Sequence, residues 1–186
     1  IHKNLEACRK LGDKLQQAIN SRKESSVAVT GAGDTPEQLL ALAEGAALGN
    51  YQFLKYFKDK HEKQNSLRQL NIVDEDIAKL DVDRLNIQVQ AVAFARDLVN
   101  EPVMYMNAPR LAKMLYSEGT GAGLKVEVLN RKKIESLKMG GLLAVNKGSV
   151  DPPTFTIMEW KPSNAINDKP LVFVGKGVVY DTGGMN

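Results

Sequence analysis

Leu171-Val172-Phe173-Val174 is a wholly apolar run closed by Gly175-Lys176-Gly177. Three of its four residues are β-branched or aromatic, and the run predicts a short strand buried on both faces. Strands of that kind occur in sheets covered by helices, and the upstream sequence alternates accordingly. Residues 25–30 (Ser-Ser-Val-Ala-Val-Thr), 67–73, 124–129, 142–146 and 154–160 read as further strands. Between them lie stretches with apolar residues at three- and four-residue spacing. The expected fold class is therefore α/β, with a largely parallel or mixed sheet.

The helical stretches carry recognisable boundaries. Leu5, Cys8, Leu11, Leu15, Ala18 and Ile19 mark a helix over 1–22. Thr35, Pro36 and Gln38 form a capping-box signature that opens a helix expected to run to about Lys58. Its inward face is predicted to hold Leu40, Ala43, Ala47, Tyr51 and Leu54. Residues 59–66 are polar and linker-like. The stretch 83–99 has apolar residues on two faces: Leu85, Val89 and Val92 on one, and Ile87, Ala91, Phe94 and Leu98 on the other. That pattern predicts a helix buried on both sides, wedged between two lobes and ended by Asn100 and Pro102. Asn107 and Pro109 start another helix, and Gly119, Gly121 and Gly123 stop it. A last helix is expected over 131–139.

Composition bounds the function. The chain has 186 residues, 43% apolar and 25% charged, and a net charge of +3. These values fit a globular protein and exclude collagen-like, disordered and membrane-spanning classes; no apolar run approaches the roughly 18 residues of a span. The near-neutral balance argues against nucleic acid as the main ligand. Even so, Lys55, Lys58, Lys60, Lys63 and Arg68 crowd one stretch, and Arg131, Lys132, Lys133 and Lys138 another. A single cysteine, Cys8, points to a reducing, cytoplasmic setting. With His2 and His61 the only histidines, thiolate and multi-histidine zinc sites are excluded.

Three glycine-flanked features invite a chemical reading. Gly31-Ala32-Gly33 lacks the third glycine of a dinucleotide fingerprint, because Pro36 occupies that position; it reads as a turn feeding a capped helix. Gly175-Lys176-Gly177 is not a phosphate loop, since Pro170 stands at the upstream glycine position and Gly177 replaces Ser or Thr. It leaves a lysine at a strand's carboxyl end, where α/β sheets place ligands. Asp181, in Asp181-Thr182-Gly183-Gly184, follows five residues later. Alone, these two are as well described as a surface amine and a turn-starting carboxylate.

Val174-Gly175-Lys176-Gly177-Val178-Val179-Tyr180-Asp181-Thr182-Gly183-Gly184 resembles the first metal-binding segment of the leucyl aminopeptidase (M17) family of dinuclear metallopeptidases. Three further stretches are similar to family segments and fall in family order. They are Glu44-Gly45-Ala46-Ala47-Leu48-Gly49-Asn50-Tyr51 with Phe53 and Tyr56, Ala95-Arg96-Asp97-Leu98-Val99-Asn100-Glu101-Pro102, and residues 140–149 with Pro152-Pro153. The resemblance implies an N-terminal α/β (macro-like) domain over 1–80, incomplete at its start. A linking helix and the opening of an α/β/α catalytic domain would then occupy 81–186, incomplete at its end. It implies that Lys176 and Asp181 are metal ligands. A ligating amine must be neutral, and an adjacent dication supplies that bias.

By the same resemblance, the full-length enzyme would release amino-terminal, leucine-type residues from peptides using two divalent ions, zinc or manganese, as a cytoplasmic hexamer. Two departures are mild: Tyr180 replaces a usual Phe, and Asn107-Ala108-Pro109 replaces a Thr-Pro helix start. The third is larger. The family's catalytic lysine and its N-T-D-A-E-G-R motif have no counterpart here, so no catalytic residue is expected within the chain. These residues alone are expected to be inert and to hold no metal stably, because each ion needs about four donors. Two other readings stay open: a non-catalytic binding or assembly module on this scaffold, and DNA binding through the basic stretches.

Overall fold

Thr35 and Gln38 form the capping box that their spacing predicts. The Gln38 backbone N–H donates to Thr35 Oγ1 (3.4 Å), and Gln38 Oε1 accepts from the Thr35 N–H (2.9 Å). With Pro36 in the first turn, this starts helix α2, Pro36–Gly49. The computed structural model that shows this describes residues 2–31 and 35–178. Replacing Thr35 by alanine should cost about 1 kcal/mol, measured as a fall in urea midpoint. The cap also holds the Glu37 carboxyl below the ordinary carboxylate range, through its own backbone N–H first and then the Thr35 hydroxyl. A lowered folded-state pKa makes this contribution complete at neutral pH and lost as acidification protonates Glu37.

The described residues fall into two compact units, Ile1–Asn100 and Glu101–Asn186. In the first, helix α1 (His2–Ser21) leads to strand β1 (Ser26–Thr30), and α2 follows. A single helical turn, α3 (Lys60–Lys63), strand β2 (Gln69–Val73) and the long helix α4 (Lys79–Asn100) complete it. Strands β1 and β2 pair in parallel, Ser26 opposite Gln69 through Thr30 opposite Val73. A parallel pair needs a crossover, and α2 lies in that crossover.

Helices α1 and α2 meet at the closest approach in the molecule. A Cβ on Gly12 would overlap the Leu42 carbonyl oxygen, and one on Gly45 would overlap the Arg9 carbonyl. The seam is lined by Gly12, Gln16, Ile19, Ala43, Gly45 and Ala46, all buried. Leu11, expected inward, is 56% exposed. Of the inward residues expected on α2 only Ala43 is buried, because α2 contacts α1, β2 and α4 on different sides and shows no single stripe. It also ends at Gly49 rather than near Lys58. Asn50, its C-cap, turns its side-chain amide to the Leu67 carbonyl (3.0 Å), which draws the chain away from the helix axis.

An amide network closes this unit. Asn20 Nδ2 donates to Gln16 Oε1 (2.7 Å) and Asn50 Oδ1 (3.0 Å). Its Oδ1 accepts from the Leu67 N–H (2.9 Å) and the Ser66 hydroxyl (3.1 Å). Gln16 can therefore be buried at 5% exposure, where an unpaired amide would be costly.

The second unit contains α5 (Ala108–Gly121), β3 (Lys125–Leu129), α6 (Arg131–Ser136), α7 (Gly140–Val145), a 3₁₀ turn (Asn146–Gly148) and β4 (Phe155–Glu159). Strands β3 and β4 are antiparallel, with Lys125 opposite Glu159. Helix α5 packs on both, its Gly119 facing Val126 and Met158. It ends with Gly123 at φ +82°, while the Leu124 N–H reaches the Gly119 carbonyl at 2.9 Å. Glycine adopts that left-handed conformation without Cβ strain.

Three expectations are corrected. Residues 142–146 are not a strand: Gly140–Val145 is helical, a short apolar run being ambiguous between the two. Residues 171–174 form no strand among the described residues, and their exposures run from 76% to 92%. A strand is defined by its partner, and no described strand pairs with this run. Helix α4 has no buried residue, and Ile87 and Val99 are 66% and 84% exposed, so burial on both faces does not hold. The fold is α/β nonetheless, by virtue of the β1–α2–β2 unit and the helices beside β3 and β4.

Candidate functional site

Lys176 lies in an extended, exposed stretch of the second unit, placed by its neighbour Gly177. A Cβ at Gly177 would come within 3.3 Å of Leu111 Cδ2, so the chain runs against α5 near its first turn. That end of α5 is well fixed. Asn107 caps it, its Oδ1 accepting from the Arg110 N–H at 3.1 Å, while its Nδ2 donates to Asp151 Oδ1 at 3.1 Å. Asn146 Nδ2 donates to the Asp151 carbonyl at 2.9 Å, and the Thr154 hydroxyl donates to the Ala108 carbonyl at 3.2 Å. The segments resembling residues 140–149 and Pro152-Pro153 are thereby tied to the start of α5.

Asp181 lies outside the described residues, so the structure does not bring it together with Lys176. Among the described residues there is no group of three or more His, Cys, Asp or Glu side chains able to hold a metal ion. One amine and one carboxylate are too few donors for a metal centre, and no hydrolytic step is assigned to these residues.

The resembling stretches 44–51 and 95–102 do converge, within the first unit. The Tyr51 hydroxyl donates to Asp97 Oδ1 at 2.7 Å and accepts from Asn100 Nδ2 at 3.1 Å. The Arg96 guanidinium lies 5.3 Å from the Tyr51 ring centroid, and its Nη1 donates to the Leu48 carbonyl at 2.7 Å. Desolvation, followed by the hydrogen bond to Asp97, holds the Tyr51 phenol above the ordinary tyrosine range; the Asn100 hydrogen bond and Arg96 act in the other direction. Sequence reading quoted both stretches without seeing this contact. The signal was a tyrosine just past a helix end and an Arg-Asp pair on another helix, which periodicity cannot connect.

An open groove of about 550 Å³ beside α1 and α2 is lined by Glu6, Arg9, Lys10, Asp13, Lys14 and Arg96 among others. Its charges are of both signs, and Arg9 already pairs with Glu44 at 2.7 Å. It offers no net field to an ion. Among the described residues no helix is long and apolar enough to cross a membrane.

A family model described as the cytosol aminopeptidase family, catalytic domain, matches residues 93–186. Curated relatives are similar over larger shares of the chain. A probable cytosol aminopeptidase of Chloroherpeton thalassium is 53% identical over 94 residues, 50% of this chain and 18% of its own. One from Sulfurihydrogenibium is 36% identical over 157 residues, covering 81% and 30%. One from Afipia carboxidovorans is 34% identical over 184 residues, covering 95% and 36%. The chain thus spans between about a fifth and a little over a third of these relatives.

Two solved structures share the fold. Bottromycin maturation enzyme BotP in complex with Mn aligns with a TM-score of 0.73 and 23% identity, over 86% of this chain and 34% of its own. A tomato leucine aminopeptidase mutant aligns at 0.72 and 22% identity, over 81% and 32%. The family match takes in half of the sequence, including the Ala95–Pro102 stretch and Lys176-Gly177 with Asp181-Thr182-Gly183-Gly184, and the chain belongs to the cytosol aminopeptidase (Peptidase M17) family.

Proposed function

We propose that the whole protein is a leucyl aminopeptidase-type metallopeptidase that releases amino-terminal residues from peptides by two-metal hydrolysis. The observation that carries this reading is the family match over 93–186. In this reading Lys176 and Asp181 are metal ligands, and glycines 183 and 184 let the backbone pass close to the ions. The ions, zinc or manganese, would polarise the peptide carbonyl and activate water. Residues 1–80 would be the N-terminal domain, and 81–186 the linking helix and the opening of the catalytic domain. The protein would work in the cytoplasm as a homohexamer.

The test is hydrolysis of leucine p-nitroanilide by the natural full-length protein loaded with Mn²⁺ or Zn²⁺. Turnover that a chelator abolishes is the expected result. Lys176→Ala should lower it by more than about 100-fold, since even outer-shell partners of metal ligands cost 10–100-fold. Residues 1–186 alone should show neither turnover nor stoichiometric metal by elemental analysis. A full-length protein that stays inactive with both metals supplied would overturn the proposal.

A further inference from the structure

We propose that Tyr51 is a latch that holds the last turn of α4, so that the Leu48–Tyr51 corner anchors the opening of the family's catalytic segment. The family match begins at residue 93, but Arg96, Asp97 and Asn100 make their contacts with residues that precede it. The inference rests on this geometry alone and does not require the hydrolytic reading.

Two tethers of different kinds leave consecutive residues of α4. Arg96 reaches the Leu48 carbonyl, one of the last four of α2, where unsatisfied carbonyls favour a cation. Asp97 accepts from the Tyr51 hydroxyl, a bond strengthened by the carboxylate charge, and Asn100 donates to the same oxygen one turn later. The Tyr51 ring lies between these tethers, close to the Arg96 guanidinium. Core packing cannot hold this end of the helix, because α4 buries no residue and Val99 is 84% exposed. Isolated surface polar contacts usually contribute little. Here three converge on one side chain, and α4 has few apolar contacts to make them redundant.

The latch is also sensitive to ionisation. Asp97 and Arg96, both on α4, are the charged groups acting on the Tyr51 hydroxyl. With its phenol held above the ordinary range, Tyr51 supports the latch below the unfolded-state tyrosine pKa. That support is lost as pH rises through the folded value, when the phenolate would face the Asp97 carboxylate.

Hydrogen exchange on the 186-residue chain at neutral pH tests this. Tyr51→Phe keeps the ring and removes the hydroxyl. It should speed exchange at amides 97–101 on the order of tenfold, while α5, β3 and β4 stay unchanged. Asp97→Asn should give the same local increase, and the double variant should add less than the sum of the two. Absorbance titration at 295 nm, as the difference between wild type and Tyr51→Phe, should place Tyr51 above the ordinary tyrosine range. Asp97→Asn should bring that midpoint down, a response that a purely packing role would not produce.

Unchanged exchange at 97–101 in Tyr51→Phe, additive effects in the double variant, or a titration insensitive to Asp97 would each overturn the proposal. If Tyr51→Phe loses helical circular dichroism as a whole, Asn100→Ala, which removes only a donor from the hydroxyl, must show the local increase instead. If it does not, the proposal fails.

Discussion

Gly45→Ala is expected to destabilise the first unit by about 3 kcal/mol, the upper part of the range for overpacking a tight seam. Intrinsic helix propensity predicts the opposite sign, a gain of about 1 kcal/mol for alanine over glycine within a helix. The packing effect wins because the obstacle is backbone. A methyl on Gly45 would overlap the Arg9 carbonyl carbon, oxygen and Cα, none of which can rotate away as a side chain can. Helix α1 must then move off α2, which opens the seam along Gly12, Gln16, Ala43 and Ala46.

Gly12→Ala should behave alike, since its methyl would meet the Leu42 carbonyl oxygen. Gly121, at the end of α5, is the internal control. No heavy atom lies within 4 Å of its virtual Cβ, so Gly121→Ala should be neutral or stabilising by up to about 1 kcal/mol. Urea unfolding followed by far-ultraviolet circular dichroism measures the loss. Fluorescence of Trp160, the sole tryptophan, reports separately on the second unit and should keep its midpoint in Gly45→Ala. A midpoint raised by Gly45→Ala would mean that the two helices do not meet as described.

Asn20→Ala is expected to cost about 3 kcal/mol, more than its four hydrogen bonds would suggest at exposed sites. Alanine removes a donor from Gln16 and Asn50 and an acceptor from the Leu67 N–H and the Ser66 hydroxyl. Gln16, at 5% exposure, has little water to turn to, so its oxygen bears most of the desolvation penalty. Asn50→Ala should cost about 2 kcal/mol, since it also releases the Leu67 carbonyl. The two variants combined should lose less than the sum, because they share one bond and one loop. A double-mutant cycle by urea denaturation supplies the coupling; strict additivity would show that the network acts as independent pairs.

Much of the local structure was legible in the sequence. The Thr35–Gln38 box, the Asn107 cap and the Gly119–Gly123 stop are short-range devices whose partners lie within a few residues, and all three form as read. Strands β1, β2, β3 and β4 fall inside the β-rich runs. What failed was any inference from apolarity to burial. Leu171–Val174 and the second stripe of α4 are apolar but exposed, whereas Gly12, Gly45 and Gln16 are buried and not strongly apolar. Burial depends on what another segment presents, and periodicity carries no information about that.

The candidate site divides in the same way. Lys176, Asp181 and their glycines were visible as a motif, because a family's ligands are fixed by residue type and spacing along one segment. The convergence of Tyr51, Arg96, Asp97 and Asn100 was not, since it joins residues more than forty positions apart. By itself the sequence determined the helix starts and stops, the strand-forming runs and the family. Tertiary structure alone decided that two glycines and a glutamine form the α1–α2 seam and that Tyr51 holds the end of α4. The physical reason is reach: caps and propensities act within about one turn, while packing and hydrogen-bond networks are settled only when distant segments meet.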